Sequence, residues 1–197
     1  MSQPSRTPTL FGQAATCGLM LALAVITTLA LQAQPHFAAW IRGGNWMSQV
    51  GVAIAFAAAA AVASFMVLAA PKLRQMMPVP EALKQINLCG MRPVAIGIFA
   101  GVGEEALFRA ALQPVLGLWL GASVFAIAHI RTAAFSTQVS WKQLVYMINV
   151  FFAGIALGLV YEYVGLLAAI LIHATIDVAA LVVARGILVS ATVADAA

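Results

Sequence analysis

Three groups of residues in this chain have the types and spacing of reactive side chains. The first is Glu104-Glu105-x-x-x-Arg109, in the middle of an apolar run from about Pro93 to Leu112. The second is Phe125-x-x-x-His129 and the third is His173-x-x-x-Asp177. A charge at the centre of a bilayer costs about 2.5–3.5 kcal/mol on insertion scales, so ionisable residues inside such runs mark a functional site by default. Glu105 and Arg109 are four apart, share a helix face and can neutralise each other. Glu104 points about 100° away from Glu105 and is left to face something else. His173 and Asp177 share a face in the same way, and Phe125 lies beside the imidazole of His129. All of these groups should turn away from lipid and converge. Two carboxylates, two imidazoles, an aspartate and an arginine in one buried pocket suit proton transfer, water activation or metal ligation.

Each residue also has a bland reading. A buried histidine in a span is often a hydrogen-bond anchor, and a Glu–Arg pair at i,i+4 is often only a neutralised pair. The convergence of three spans at similar depth favours chemistry over these readings taken singly.

The elements that must bring the groups together are membrane spans. The chain has 197 residues, 63% of them hydrophobic and 8% charged, against about 25% charged in a soluble domain. Hydropathy and breaker residues predict an all-α polytopic bundle of about six spans around a buried polar cavity. The spans run from about Leu10 to Ala33, Trp46 to Ala70, Pro93 to Val115, Leu118 to Phe135, Gln143 to Tyr163 and Leu166 to Leu188. Pro35, Pro114, Gly117 and Gly165 mark their ends, with a very tight turn expected at Gly165. Pro71 to Arg92 is the longest polar segment, and the stretch from Glu81 to Leu88 reads either as an amphipathic surface helix or as an ordinary loop. The organisation expected is 1–92 for two spans and the connecting segment, 93–188 for the core, and 189–197 for a disordered tail.

The Lys/Arg distribution sets orientation. With both termini cytoplasmic and six spans, Arg6, Lys72, Arg74, Lys84, Arg92, Arg131, Lys142 and Arg185 all lie at cytoplasmic ends, and only Arg42 falls outside. The net charge of +4 is spread over span ends, which argues against nucleic acid as a partner. Cys17 and Cys89 have no metal-type spacing. His36 is expected in the first loop, Glu162 at the membrane interface between Tyr161 and Tyr163, and Asn149 in a helix–helix hydrogen bond.

The three motifs, in this order and each inside an expected span, resemble those of the CPBP family, the CAAX-prenyl-endopeptidase and bacteriocin-processing proteins also called the Abi family. The resemblance covers about Pro93 to Val183. It implies an integral membrane protein, expected in a bacterial or archaeal cytoplasmic membrane. It also implies an intramembrane endopeptidase of the glutamate type. In that scheme Glu104 and His129 hold a water, Glu104 acts as general base, and His173 with Asp177 behind it serves the oxyanion or the leaving amine. Glu105 and Arg109 form a supporting pair, and Phe125 belongs to the substrate pocket. Asp177 departs from the prenyl-protein branch, which typically has Asn there; Asp donates a hydrogen bond only when protonated. No cofactor is expected. The metal-dependent alternative takes zinc on Glu104, His129 and His173. The expected partners are the lipid bilayer and a protein or peptide substrate, either lipidated or carrying a C-terminal membrane segment. A non-proteolytic scaffold or immunity protein on the same fold, and a small proton-coupled carrier, are the readings from other classes.

Overall fold

The computed structural model describes residues 10–32, 37–76, 79, 81–84, 86–130 and 141–195. His36 and the polar loop between residues 131 and 140 lie outside them. The helices are α1 (Leu10–Leu31), α2 (Trp46–Ala69), α3 (Pro71–Met76), α4 (Glu81–Lys84), α5 (Arg92–Glu105), α6 (Gln113–Ile130), α7 (Trp141–Tyr163) and α8 (Leu166–Asp195). A 3-10 turn spans Ala38–Ile41, and a π-helical segment, Ala106–Leu112, joins α5 to α6. No strand occurs among the described residues. The protein is an integral membrane protein built as an all-α bundle.

Among the described residues, five stretches are long and apolar enough to cross a membrane. The longest, Arg92–His129, has 38 residues, well beyond the 17–25 or so that one crossing needs. It folds back on itself at Gly117, whose φ of 75° and ψ of 172° break the helix. Positive φ is cheap only for glycine. Phe108 then meets Phe125 edge to face at 5.1 Å and Glu104 meets His129 at 3.3 Å, two pairs centred between residues 116 and 117. The sequence predicts about six spans; five candidates occur among the described residues, and the break at Gly117 divides one of them. The fold-back also brings the first motif against the second.

Two glycines bring α8 against α5. A Cβ at Gly97 would sit 2.8 Å from Ala174 O, and one at Gly101 would sit 2.8 Å from Ile170 O. Small residues four apart let helix backbones touch, and this contact lies one turn from Glu105. Just before α8 begins, Gly165 turns the chain at φ 138°. There Leu166 N donates to Arg42 O, and Gln49 clamps the loop by accepting from Ala168 N and donating to Gly44 O.

The π-helical segment has its own support. Its wider turn bonds Gln113 N to Phe108 O and leaves carbonyls near its end to be satisfied from outside. Gln32, just past α1, donates to Ala110 O at 2.7 Å and Ala111 O at 2.9 Å.

Two details differ from the sequence reading. The segment between α2 and α5 holds two short helices, and Val79, Leu83, Ile86 and buried Leu88 pack on Leu181 and Ala184 of α8. Its apolar residues therefore have a protein partner in α8. Helix α8 also continues to Asp195, seven residues past the expected end, because no proline or glycine interrupts Val189 to Asp195.

Candidate active site

The π-helical segment follows directly on the two glutamates, and the local sequence explains why both are held. Glu105 and Arg109 are wholly buried, and Arg109 Nε donates to Glu105 Oε2 at 3.1 Å. An isolated buried charge would cost far more than a paired, hydrogen-bonded one. The guanidinium also lies over the Phe125 ring, 5.0 Å from its centroid, a cation–π arrangement.

All six ionisable motif residues meet in one place. His173 Nδ1–H donates to Glu105 Oε1 at 2.7 Å. A carboxylate only accepts, so this contact fixes the proton on Nδ1 and turns Nε2 towards the rest of the cluster. Nε2 stands 3.8 Å from Glu104 Oε2 and 3.8 Å from Asp177 Oδ2. His129 is oriented in the same manner: Nδ1–H donates to Phe125 O at 2.8 Å, and Nε2 faces Glu104 Oε2 at 3.3 Å. Both imidazoles thus present Nε2 to one oxygen of Glu104. That oxygen is buried and has no hydrogen-bond partner among the described residues. Distances of 3.8 Å are too long for direct hydrogen bonds and suit a bridging water or a substrate oxygen.

Exposure rises in one direction. Glu105 is sealed, the side chain of Glu104 is 16% exposed, that of His129 26% and that of Asp177 33%. The open side of the cluster is therefore the side of Glu104, His129 and Asp177. Phe125, the expected pocket residue, is buried. Its ring is enclosed by Phe108, His129, His173 and Arg109, so it forms the wall that orients both imidazoles.

Several sequence expectations are corrected. The residue behind His173 is Glu105, not Asp177, because Glu105 holds Nδ1 while Asp177 stands off Nε2. Glu162 does not run out to the interface; it turns inward and accepts from Gln113 Nε2 at 3.0 Å. Tyr161 is buried and donates to Ala39 O at 3.0 Å. Asn149 donates to Val145 O within its own helix, so it makes no helix–helix bond there. Gln32, Gln113 and the Gly97–Gly101 pair were not singled out in the sequence. The glycine pair could have been found from its four-residue spacing in an apolar run. Gln113 stands one further turn along the Glu105–Arg109 face, which was its only signal.

Among the described residues, no three His, Cys, Asp or Glu side chains are arranged to hold a metal ion. The residues of the metal-dependent alternative, Glu104, His129 and His173, do come together: the two Nε2 atoms stand 3.3 Å and 3.8 Å from Glu104 Oε2.

A protein-family model described as type II CAAX prenyl endopeptidase, Rce1-like, matches residues 90–179. The match runs from the start of α5 through Asp177 and takes in all three motifs. It bears out the family resemblance. No curated protein matches the chain, and no solved structure does.

Proposed function

Starting from a core that matches the Rce1-like endopeptidases, we propose that this membrane protein hydrolyses a peptide bond of a membrane-associated substrate with a water activated by Glu104 and His129. The observation that carries the reading is the unpartnered buried oxygen of Glu104, flanked by the Nε2 atoms of two oriented histidines.

The chemistry follows from the distances. A water hydrogen-bonded to Glu104 Oε2 and His129 Nε2 gives its proton to Glu104 as it attacks the scissile carbonyl. His173 Nε2 lies 3.8 Å from the same oxygen and serves the developing oxyanion or the leaving amine, for which it must carry a proton on Nε2. Glu105 accepts from His173 Nδ1–H at 2.7 Å, which leaves Nε2 as the nitrogen turned towards the reacting group. Asp177 lies on the open side and meets the substrate before the other residues do. The scheme has no covalent acyl-enzyme, since no Ser or Cys stands with the group among the described residues. The substrate class that fits is a protein or peptide with a lipidated or membrane-inserted C-terminal end, and the best-supported instance is a CAAX-type prenylated C-terminus. Entry is from the cytoplasmic side, with both termini of the chain in the cytoplasm of a bacterial or archaeal host.

The test is a comparison of membrane proteomes from a host carrying the wild-type protein and one carrying Glu104→Ala, with protein N- and C-termini mapped by mass spectrometry. Accumulation of uncleaved precursors in the mutant supports the reading and names the substrate. Identical termini, with the mutant folded and inserted, would overturn it and bring the scaffold reading forward.

A further inference from the structure

Arg109 is a permanent cation sealed from solvent, and what holds it extends beyond the motifs. Its Nη1 faces Gln113 Oε1 at 3.5 Å. Gln113 is itself buried, and its Nε2 donates to Gly158 O at 3.2 Å and to Glu162 Oε1 at 3.0 Å. An amide has a donating end and an accepting end. Gly158 O and the Glu162 carboxylate can only accept, so they claim the nitrogen of Gln113. Its oxygen is then left to Arg109, which can only donate. Reversing the amide would set donors against the guanidinium and acceptors against the carboxylate. One unbroken chain thus runs Glu162–Gln113–Arg109–Glu105–His173, from α7 through the π-helical segment to α8.

We propose that Gln113 and Glu162 are positioning residues for the Glu105–His173 pair: Glu162 fixes which end of the Gln113 amide meets Arg109, and Arg109 so held keeps Glu105 on Nδ1 of His173. The functional meaning of this chain rests on the protease reading, although its geometry does not. Neither residue reaches the open side of the cluster. Gln113 and Arg109 are both buried, and the guanidinium lies over the Phe125 ring. Losing the chain therefore acts on turnover and leaves substrate binding alone.

The experiment uses the full-length protein purified in detergent micelles, with a farnesylated CAAX-type peptide as probe. Gln113→Leu and Glu162→Leu each lower kcat by about 10–100-fold, the scale of a small misplacement at a reacting centre, with KM within about twofold. Glu162→Gln retains an acceptor for Gln113 Nε2 and stays within about threefold of wild type, since a neutral acceptor keeps the amide in register. Gln113→Glu alone sets two carboxylates face to face and is impaired. Combined with Glu162→Gln, the same change restores kcat, because the introduced carboxylate accepts from both Arg109 and the introduced amide. A merely structural role would not give rescue by this exchange.

A second readout does not need cleavage. Nitrogen-15 spectra of histidine-labelled protein report the His173 Nδ1–H held in a strong hydrogen bond in the wild type, and that signature is weakened or lost in Gln113→Leu. The proposal is overturned if both leucine variants keep kcat within about twofold of wild type. It is also overturned if the exchange variant is no better than Gln113→Glu alone. If the wild type cleaves nothing, the protease reading is what has failed; an unchanged His173 Nδ1–H signal in Gln113→Leu would then overturn the positioning chain as well.

Discussion

Helix α8 has two faces that are built differently. Towards α5 it meets bare backbone: Gly97 and Gly101 let Ala174 O and Ile170 O come within 2.8 Å of where a Cβ would stand. His173 and Asp177 share the helix with that contact. Towards α2 it leaves a groove of about 450 Å³, lined by apolar residues such as Phe56, Ala60, Val67, Leu83, Ala180 and Ile187. One face fixes the distance between two helices to a fraction of an ångström, and the other tolerates empty space. The difference follows from what each face must do. Glu105 Oε1 has to lie 2.7 Å from His173 Nδ1, and only a backbone-to-backbone contact one turn away defines so short a reach. Nothing on the α2 side has a comparable requirement, and alanine-rich packing suffices.

The comparison can be broken or sharpened by substitution, beginning where the largest effect is expected. Glu104→Gln and His129→Ala should lower the cleavage rate by about 10²–10⁴-fold, the usual contribution of a positioned base, with little change in melting temperature. Initial rates and a thermal melt on the same samples check both halves. Gly101→Ala comes next. The new methyl group meets backbone at 2.8 Å and the Cβ of Ala174 at 3.1 Å, so α5 and α8 must separate. We expect about 1–3 kcal/mol of destabilisation from overpacking and at least a tenfold loss of turnover from the stretched Glu105–His173 bond, given that small misplacements cost up to about 10²-fold. A Gly101→Ala protein with wild-type kinetics would mean that the α5–α8 distance is not what sets the site.

Gln32→Leu strips the donor from Ala110 O and Ala111 O in the π-helical segment. Leaving such carbonyls unsatisfied costs about 1–3 kcal/mol, visible as a lower midpoint in a thermal melt. Gly51→Ala on α2 is the smallest. A Cβ there meets nothing within 4 Å, so stability should change by less than about 1 kcal/mol, in the stabilising direction that the helix preference for alanine over glycine implies, with cleavage unaltered. A Gly51→Ala effect as large as that of Gly101→Ala would remove the distinction between the two faces.

The sequence reading reached some parts of this structure and not others, for physical reasons. Ionisable residues in apolar runs stand out, so Glu104, Glu105, Arg109, His129, His173 and Asp177 were all legible. So was the bundle that converges them, since hydropathy and helix breakers report spans directly. Gly165 was legible as a tight turn because few residues can adopt its backbone. Which carboxylate meets which imidazole was not legible. The choice of Glu105 over Asp177 behind His173 depends on the rotation and separation of α5 and α8, and those are set by Gly97 and Gly101, whose small side chains look ordinary in an apolar run. The π-helical segment was hidden for a related reason. Its bonding pattern is supported by Gln32, a residue 78 positions away from Ala110 in the chain. Glu162 was read outward because it ends a span, whereas its partner, Gln113, is uncharged and gave no signal of its own.

The central claim is that Glu104 activates the water that cleaves the substrate. The most direct measurement compares initial rates of cleavage of a farnesylated CAAX-type peptide by the purified wild-type protein and by Glu104→Gln, at equal concentration in the same micelles and with matched thermal melts. The account predicts cleavage by the wild type and a rate at least about 10²-fold lower for the variant. A folded Glu104→Gln protein that cleaves the peptide at the wild-type rate would contradict it.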